Sequence, residues 1–332
     1  MGVNGPVDIK QLRTLVHVAE LGSISKASHR LGIAQPALSR QIRMLEEELG
    51  SPLFERHGRG MVLTPVGYEV LGRAGQILKD LEALRTAATP GGCDLAGVVA
   101  IGTTPTVGEV VTVPLVTRLR RAHPRLSVRV SSAFSGHLTD WVKHGELDFA
   151  VVYDRAPSPS LNVVPIMIED LLLVGPSSDA LSLDRPVRFS ALEQELLVLP
   201  SPKHGLRTIV DACALKAGIQ LRANVEADSF NAMISLVQSG FGKTLLPLAP
   251  IYGAIKSETL CAAPLQDPTP VRRLGLAFPV DRAVTPAARV AAQTLVEITS
   301  EMVLGGVWAG HLLRRPSFFE CAAGKGRSQD RG

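Results

Sequence analysis

The sequence predicts a helical head and an α/β body joined by one long helix, and three observations carry that prediction. Residues 8–60 hold three short amphipathic segments, each followed by a glycine. Residues 65–89 run without a proline between Pro65 and Pro90. From Val98 onward, extended apolar runs alternate with helical ones, the pattern of mainly parallel strands covered by helices. At 332 residues, 45% hydrophobic and 20% charged, the chain has the length of two or three domains and enough apolar content to give each a core.

Each element has a local cause. In the first segment Ile9, Leu12, Leu15, Val16 and Ala19 recur at helical spacing, and Gly22 ends the run. The second puts Ile24, Ala27 and Leu31 on one face, with Ser23 or Ser25 as cap and Gly32 as stop. The third runs over about residues 35–49, with Pro36 in its first turn and Gly50 after it. The stretch SPLFERHGRGMVLTP reads as two short extended pieces around a Gly-Arg-Gly tip, a hairpin or wing. Thr64 as N-cap and Pro65 as first helical residue open the long helix. Within it Val70, Ala74, Ile77, Leu81, Leu84 and Ala88 follow a 4-3-4-3-4 spacing, the seam of a helix that faces another helix, the alternative being one helix packed on its own domain. ATPGGCDLAG reads as a linker. The expected division is 1–64 for the head, 65–89 for a dimerising helix, 90–97 for a hinge, 98–302 for the α/β domain and 303–332 for a partly disordered tail.

Composition excludes several classes. No stretch approaches the roughly 18 apolar residues of a membrane span, so no membrane partner is expected. The start MGVNGPVDIKQL has no basic segment leading into an apolar core, so a cytoplasmic location is expected. Cys93, Cys213, Cys261 and Cys321 are scattered with no CxxC, against a disulfide scaffold or a structural zinc site. No P-loop, HExxH or GxSxG is present, so no catalytic residue, metal or cofactor is expected. Gly240-Phe241-Gly242-Lys243 lacks the glycine spacing of a phosphate loop, and pairing Asp148 with Asp154 as catalytic acids has no support beyond spacing.

The third helix carries the most information. Leu38, Ile42, Leu45 and Leu49 form its apolar stripe, while Gln35, Ser39 and Arg43 lie four apart on another face with Arg40 beside them. Arg bonds bidentately to guanine, Gln to adenine, and Ser to a base or a phosphate. Glu46, Glu47 and Glu48 crowd the far end, where phosphates repel them, so the N-terminal half is the half that enters a groove. Arg56 and Arg59 add guanidinium groups on the wing, within reach of backbone or minor groove, and Ser23 and Pro36 complete the DNA-binding candidates. The net charge of +4 is compatible with nucleic acid without showing it.

These residues resemble a known family. Ser23, Ala27, Leu31, Gln35, Pro36, Ser39, Ile42, Leu45, Glu46, Leu49, Gly50, Leu53, Phe54, Arg56, Leu63, Thr64 and Gly67 fall at the spacing of the N-terminal winged helix-turn-helix of LysR-type transcriptional regulators. The similarity weakens after residue 65 and continues to about 300. It implies a linker helix that pairs two chains, followed by an effector domain of two α/β lobes like a type 2 periplasmic-binding protein. Lobe I would take about 98–168 and 270–302, and lobe II about 169–269. It further implies a homotetramer built as a dimer of dimers on an interrupted inverted repeat of double-stranded DNA, and contact with RNA polymerase when activating. The alternatives from other classes are a solute-binding protein and an α/β enzyme carrying a regulatory helix-turn-helix.

The effector site is expected where strands run into helices, since small molecules in open α/β sheets lie beyond the carboxyl ends of strands and helix N-termini attract anions. The resemblance puts Thr106, Ser135 and Ser201 at effector-contacting positions; Thr104, His204, Ser229 and Phe230 complete the candidate set. Ser and Thr are also favoured helix caps, so each residue has a structural role open to it. Lys203 is the only cation in those loops, so neutral hydroxyl and amide donors are expected to recognise a small anion, with Lys203 at the rim.

Overall fold

The computed structural model describes residues 7–57, 60–87, 95–153 and 158–313. The head begins with α1 (Ile9–Leu21), α2 (Ile24–Leu31) and α3 (Gln35–Leu49). Asp8 caps α1 in a reciprocal arrangement with Gln11, and Ser23 caps α2 through the Lys26 N–H. Leu12, Leu15, Val18, Ile24, Ala27, Leu38, Ile42 and Leu45 close into one core with Leu53 and Phe54. The wing, β1 (Phe54–His57) paired with β2 (Gly60–Leu63), is antiparallel and pinned to the turn after α1. Met61 N–H donates to the Gly22 carbonyl at 2.8 Å, and a Cβ on Gly60 would lie 2.4 Å from that same oxygen, so only glycine admits this approach.

One acid at the end of α3 has a structural use. The Glu46 carboxylate accepts the N–H groups of Leu53 (2.8 Å) and Phe54 (3.2 Å), tying the wing to the helix.

The long helix α4 spans Pro65–Ala87. Its expected seam divides in two. Ala74 is 1% exposed within the head core and Val70 packs against that core, so these two face their own α1 and not a second chain. Ile77 (49% exposed) and Leu84 (67%) project outward, with Leu81 half-buried between them. Heptad spacing reveals that a helix is faced along one side, but not which helix faces it. Ala88 lies outside the described residues.

The body begins with β3 (Gly97–Thr103), α5 (Pro105–Ala122), β4 (Leu126–Ser132), α6 (Ser135–Lys143), β5 (Phe149–Tyr153) and β6 (Leu161–Pro176). It continues through β7 (Val187–Arg188), a 3₁₀ turn (Phe189–Gln194), β8 (Leu196–Leu199), α7 (Gly205–Ala217), β9 (Arg222–Glu226), α8 (Phe230–Gln238) and β10 (Thr244–Pro247). It ends with α9 (Leu248–Lys256), β11 (Leu260–Gln266), β12 (Val271–Pro279), α10 (Pro286–Leu304) and β13 (Gly310–Leu312). The strands are mixed, not mainly parallel. β3 runs parallel to β4 and β5, and β8 to β9, but every pairing of β6 and β12 is antiparallel.

β6 is the structural hinge pin. Its first part, to Asp170, pairs with β12 and β13; from Leu171 it pairs with β10 and β11. One strand thus belongs to both lobes, and the chain returns to lobe I at Pro270, whose carbonyl accepts the Leu171 N–H at 2.9 Å. Lobe I buries Ile101, Val107, Leu115, Phe149, Leu276 and Leu295 between its sheet and helices α5 and α10. Lobe II closes around Leu171, Val174, Val198, Met233, Val237 and Ile251. At the far end of α6, a Cβ added to Gly72 of α4 would fall 2.1 Å from the His144 carbonyl, so head and body meet backbone to backbone there.

The first part of the expected tail is packed: α10 continues to Leu304, Trp308 of the WAGHLL stretch is 1% exposed in the lobe I core, and β13 adds a strand to β6. Residues 314–332 are outside the described set.

Candidate functional site

Two surfaces gather the predicted residues. On the head, α3 buries Leu38, Ile42 and Leu45 and leaves Gln35, Pro36, Arg40 and Arg43 exposed, with Ser39 half-buried. Ala34, before the helix, provides no side-chain cap, and its carbonyl accepts the Ala37 N–H at 2.9 Å. Ser23 caps α2 rather than lying free. Arg56 lies on β1, and its side chain, like the whole of Arg59, is outside the described residues.

In the body a cavity of about 790 Å³ lies between the lobes. Lobe I contributes Thr104, Pro105, Thr106, Phe134, Ser135, Gly136, His137, Tyr153, Val271 and Arg272. Lobe II contributes Ser201, Lys203, His204, Gly205, Leu206, Thr208, Ile209, Asp228, Phe230, Met233 and Leu246. Of the predicted set, Thr104, Thr106, Ser135, Ser201, His204 and Phe230 converge here from separate strand-to-helix junctions. Ser229 does not line the cavity; its hydroxyl accepts the Ala232 N–H and caps α8.

The expectation that Lys203 is the only cation near these loops is overturned by Arg272. It sits at the start of β12, 4% exposed, and arrives from 166 residues beyond Thr106. Its Nε–H donates to the Glu169 carboxylate, its Nη2 donates to the Thr106 hydroxyl at 3.1 Å, and its guanidinium lies 3.7 Å from the centre of the Tyr153 ring. Burial is the largest single influence and opposes the Arg272 charge, but Glu169 and Tyr153 together outweigh it and hold the guanidinium more firmly charged than usual.

Tyr153 is the second residue the sequence reading missed. Its Oη lies 2.8 Å from Thr106 Oγ1. Burial pushes the phenol up to about 12 against the pull of Arg272, so it remains an O–H donor across the physiological range. Two hydroxyls that share one hydrogen bond use one hydrogen for it. The Thr106–Tyr153 pair therefore keeps one O–H to offer elsewhere. Ser135 Oγ accepts the Tyr153 N–H at 3.1 Å, leaving its own hydrogen available, and the Thr104 hydroxyl is buried beside the Tyr153 phenol.

The opposite wall is arranged differently. His204 Nδ1 accepts the Leu206 N–H at 3.1 Å, which requires that nitrogen to be unprotonated. Burial lowers the His204 pKa, with Asp228 opposing and Arg272 reinforcing. The Ser201 N–H donates to Asp228 at 2.9 Å and, with the Ser201 hydroxyl, holds that carboxyl below its usual range. The rings of Phe134 and His204 meet edge to face across the cleft, centroids 4.9 Å apart.

Sequence reasoning found the hydroxyls because they stand at junctions in the chain. Tyr153 ends β5 and Arg272 is the second residue of β12, and the antiparallel registry of β12 with β5 and β6 brings the two together at the cleft. Asp148, which invited a catalytic reading, accepts the Ala100 N–H at 2.7 Å and fixes the β3–β5 junction. Asp154 lies outside the described residues. Among the described residues no group of His, Cys, Asp and Glu is placed to hold a metal ion, and no helix is long and apolar enough to cross a membrane.

Two family models match the chain: "Bacterial regulatory helix-turn-helix protein, lysR family" over residues 9–68 and "LysR substrate binding domain" over 94–299. The HTH-type transcriptional regulator BbuR of Bordetella bronchiseptica is 30% identical over 308 residues, 93% of this chain and 95% of that protein. A probable hydrogen peroxide-inducible genes activator of Mycobacterium leprae is 35% identical over 274 residues, 81% of this chain and 87% of that protein. The structure of a full-length OxyR variant from Pseudomonas aeruginosa superposes with a TM-score of 0.70 at 25% identity, covering 89% of this chain and 95% of that one.

Proposed function

This chain belongs to the LysR family of transcriptional regulators, in which a DNA-binding helix-turn-helix is joined to an effector-binding domain, and we propose how its own residues divide that work. The effector is an organic anion with an apolar body, held between the lobes. The observation that carries this reading is the asymmetry of the cavity. Arg272 and the hydroxyls of Thr104, Thr106, Ser135 and Tyr153 converge on lobe I, while lobe II brings the apolar Leu206, Ile209, Phe230, Met233 and Leu246 beside Ser201, His204, Thr208 and the rim pair Lys203 and Asp228. A space of about 790 Å³ is far larger than an inorganic ion needs, and it suits a molecule with a carboxylate head and a hydrocarbon or aromatic remainder. The neutral hydroxyls expected from the sequence keep a role here, but beside a cation rather than in place of one.

Some relatives are named for hydrogen peroxide. In this chain none of the cavity-lining residues is a cysteine: Cys213 is buried on α7, and the Cys261 thiol on β11 donates to the Pro176 carbonyl at 3.0 Å. That favours reversible binding over oxidation of a cavity thiol. The test is calorimetry of the full chain against a panel of aliphatic and aromatic carboxylates and against peroxide, with target-DNA binding measured alongside. Micromolar carboxylate binding that alters DNA affinity supports the reading. A response to peroxide alone would replace it.

On the head, Gln35, Ser39 and Arg40 read bases while Arg43, Arg56 and Arg59 hold phosphates, and Pro36 starts the helix that presents them. Arg40→Ala should cost about 1–3 kcal/mol on the specific site and less on random DNA. Equal losses on both would reduce Arg40 to a phosphate contact.

Chain pairing rests on Ile77, Leu81 and Leu84 rather than on Val70 and Ala74. It yields a dimer of dimers on an interrupted inverted repeat in the cytoplasm, with RNA polymerase as the partner in activation. Leu84 is already exposed, so Leu84→Asp is harmless to a lone chain but buries a charge in a paired one. Sedimentation should show fewer dimers; an unchanged assembly would remove this seam from the proposal.

A further inference from the structure

We infer that the cavity is built to compensate a single negative charge, and that Glu169 and Trp308, which stand behind its wall, fix that count. The inference rests on the organic-anion reading above and narrows it to monoanions.

Glu169 is 1% exposed and does not line the cavity, yet both its oxygens are engaged. Oε2 accepts from Arg272 Nε, and Oε1 accepts from Trp308 Nε1 at 2.6 Å. Trp308 comes from the segment after α10, and its indole N–H has one job visible in the fold: it holds the Glu169 carboxylate in place. With Oε1 tied back, Oε2 meets the Nε edge of the guanidinium, and the Nη2 edge is turned toward Thr106 and the cavity. Trp308 is thereby a positioning residue for Arg272.

Among the described residues that line the cavity or stand directly behind it, the charges can then be counted. Arg272 and Glu169 cancel. Lys203 and Asp228 are both exposed at the rim, where solvent screens them. His204 is neutral while its Nδ1 accepts the Leu206 N–H. The uncapped positive ends are those of α5 and α6 on lobe I, each equivalent to roughly half an elementary charge; on lobe II one N–H at each end of α7 and α8 is already taken up by His204 and Ser229. The buried hydroxyl of Thr104, beside the Tyr153 phenol, stands at the first of these ends. Together they offset about one carboxylate. A second carboxylate on the ligand would be desolvated with nothing to meet it.

The experiment uses the full chain and matched probes: straight-chain and ring monocarboxylates of about four to eight carbons, their dicarboxylate counterparts, and the corresponding amides. By calorimetry the monocarboxylate of each set should bind about tenfold or more tighter than either relative. Glu169→Gln adds one uncompensated positive charge without changing shape, so the dicarboxylates should gain and the preference should vanish or invert. Trp308→Phe keeps the ring and the charges but frees Glu169. It should weaken the carboxylates several-fold and leave amide affinity unchanged, with secondary structure intact by circular dichroism.

A further readout avoids disturbing the buried pair. Trp141 and Trp308 are the 2 tryptophans, so Trp141→Phe leaves Trp308 as the only reporter. Its emission should shift when a monocarboxylate binds and stay still for an amide. Carboxylate binding with an unaltered charge preference in Glu169→Gln, or with a silent Trp308, overturns this inference and leaves the organic-anion reading standing. Failure of every carboxylate to bind overturns both.

Discussion

On lobe I the two helices that face the cleft begin without a side-chain cap. Thr104 precedes α5 and Phe134 precedes α6, and neither bonds back to the first turn through its side chain. On lobe II the two helices that face it are both capped, α7 by the His204 ring and α8 by the Ser229 hydroxyl. A helix leaves its first N–H groups without internal partners, so each end must satisfy them locally or present them to something else. Lobe I presents them, next to Arg272 and several hydroxyls with hydrogens to spare. Lobe II satisfies them and contributes the apolar Leu206, Ile209, Phe230, Met233 and Leu246. The same residue types at the same kind of junction therefore have two outcomes, and only the direction of the side chain distinguishes a cap from a contact.

The strongest way to break this contrast is at Arg272. Arg272→Met should reduce binding of a carboxylate probe by about a hundredfold, the loss of charge-assisted hydrogen bonds in a desolvated site. It also strands Glu169, and breaking one side of a buried pair costs about 3–5 kcal/mol. Arg272→Met combined with Glu169→Gln should recover most of the thermal stability and none of the affinity. Recovery of affinity in the double variant would show that the cation is structural. A smaller effect is expected at Thr106→Val, which keeps the shape but removes the hydroxyl between Tyr153 and Arg272. Affinity should fall about 3- to 30-fold, and target-DNA binding without effector should not change. Loss of DNA binding as well would make Thr106 a residue of the fold.

The contrast also marks what was legible in the sequence. Gly22, Gly32 and Gly50, all left-handed here, announce three helix ends, and the spacing of Leu38, Ile42 and Leu45 announces a buried stripe; both are local signals. Thr104, Thr106, Ser135, Ser201, His204 and Phe230 were found because a junction is visible along the chain. Nothing local separates Ser229, which caps, from Ser135, which does not. Arg272, Tyr153, Glu169 and Trp308 are brought together by strand pairing across more than a hundred residues, and Arg272 in VRRLGLAFP resembles any charged residue at a strand edge. In the long strand β6 an uninterrupted apolar run is visible only from Leu171 on, since Asn162, Glu169 and Asp170 break the earlier part; Glu169 is tolerated there because Arg272 and Trp308 complete its bonds. The heptad in α4 was visible, but its division between the head core and the outer surface depends on where α1 lies.

The smallest expected effect is the pH dependence of the capped wall. The His204 ring caps α7 only while Nδ1 is unprotonated, and burial holds its pKa below the ordinary 6.5. A base whose folded pKa is lowered takes up its proton more readily in the unfolded chain. Between the two values the unfolded state binds more protons, so stability rises with pH through that window. The contribution of His204 is therefore complete above about pH 6.5 and is lost as pH falls toward the folded value. Because the ring is only half-buried and one cap is involved, the loss should amount to about 1–3 °C in the melting temperature of the body. His204→Asn supplies a cap that does not titrate, and it should flatten the melting curve in that window while matching the parent at about pH 8. Protonation also sets a positive charge beside the cavity, so carboxylate affinity should rise modestly over the same pH range in the parent and not in His204→Asn. Opposite trends of stability and affinity in one variant pair would show that the capped wall takes on the character of the uncapped one when its cap is withdrawn. Parallel trends, or none, would assign the ring to packing against Phe134 alone.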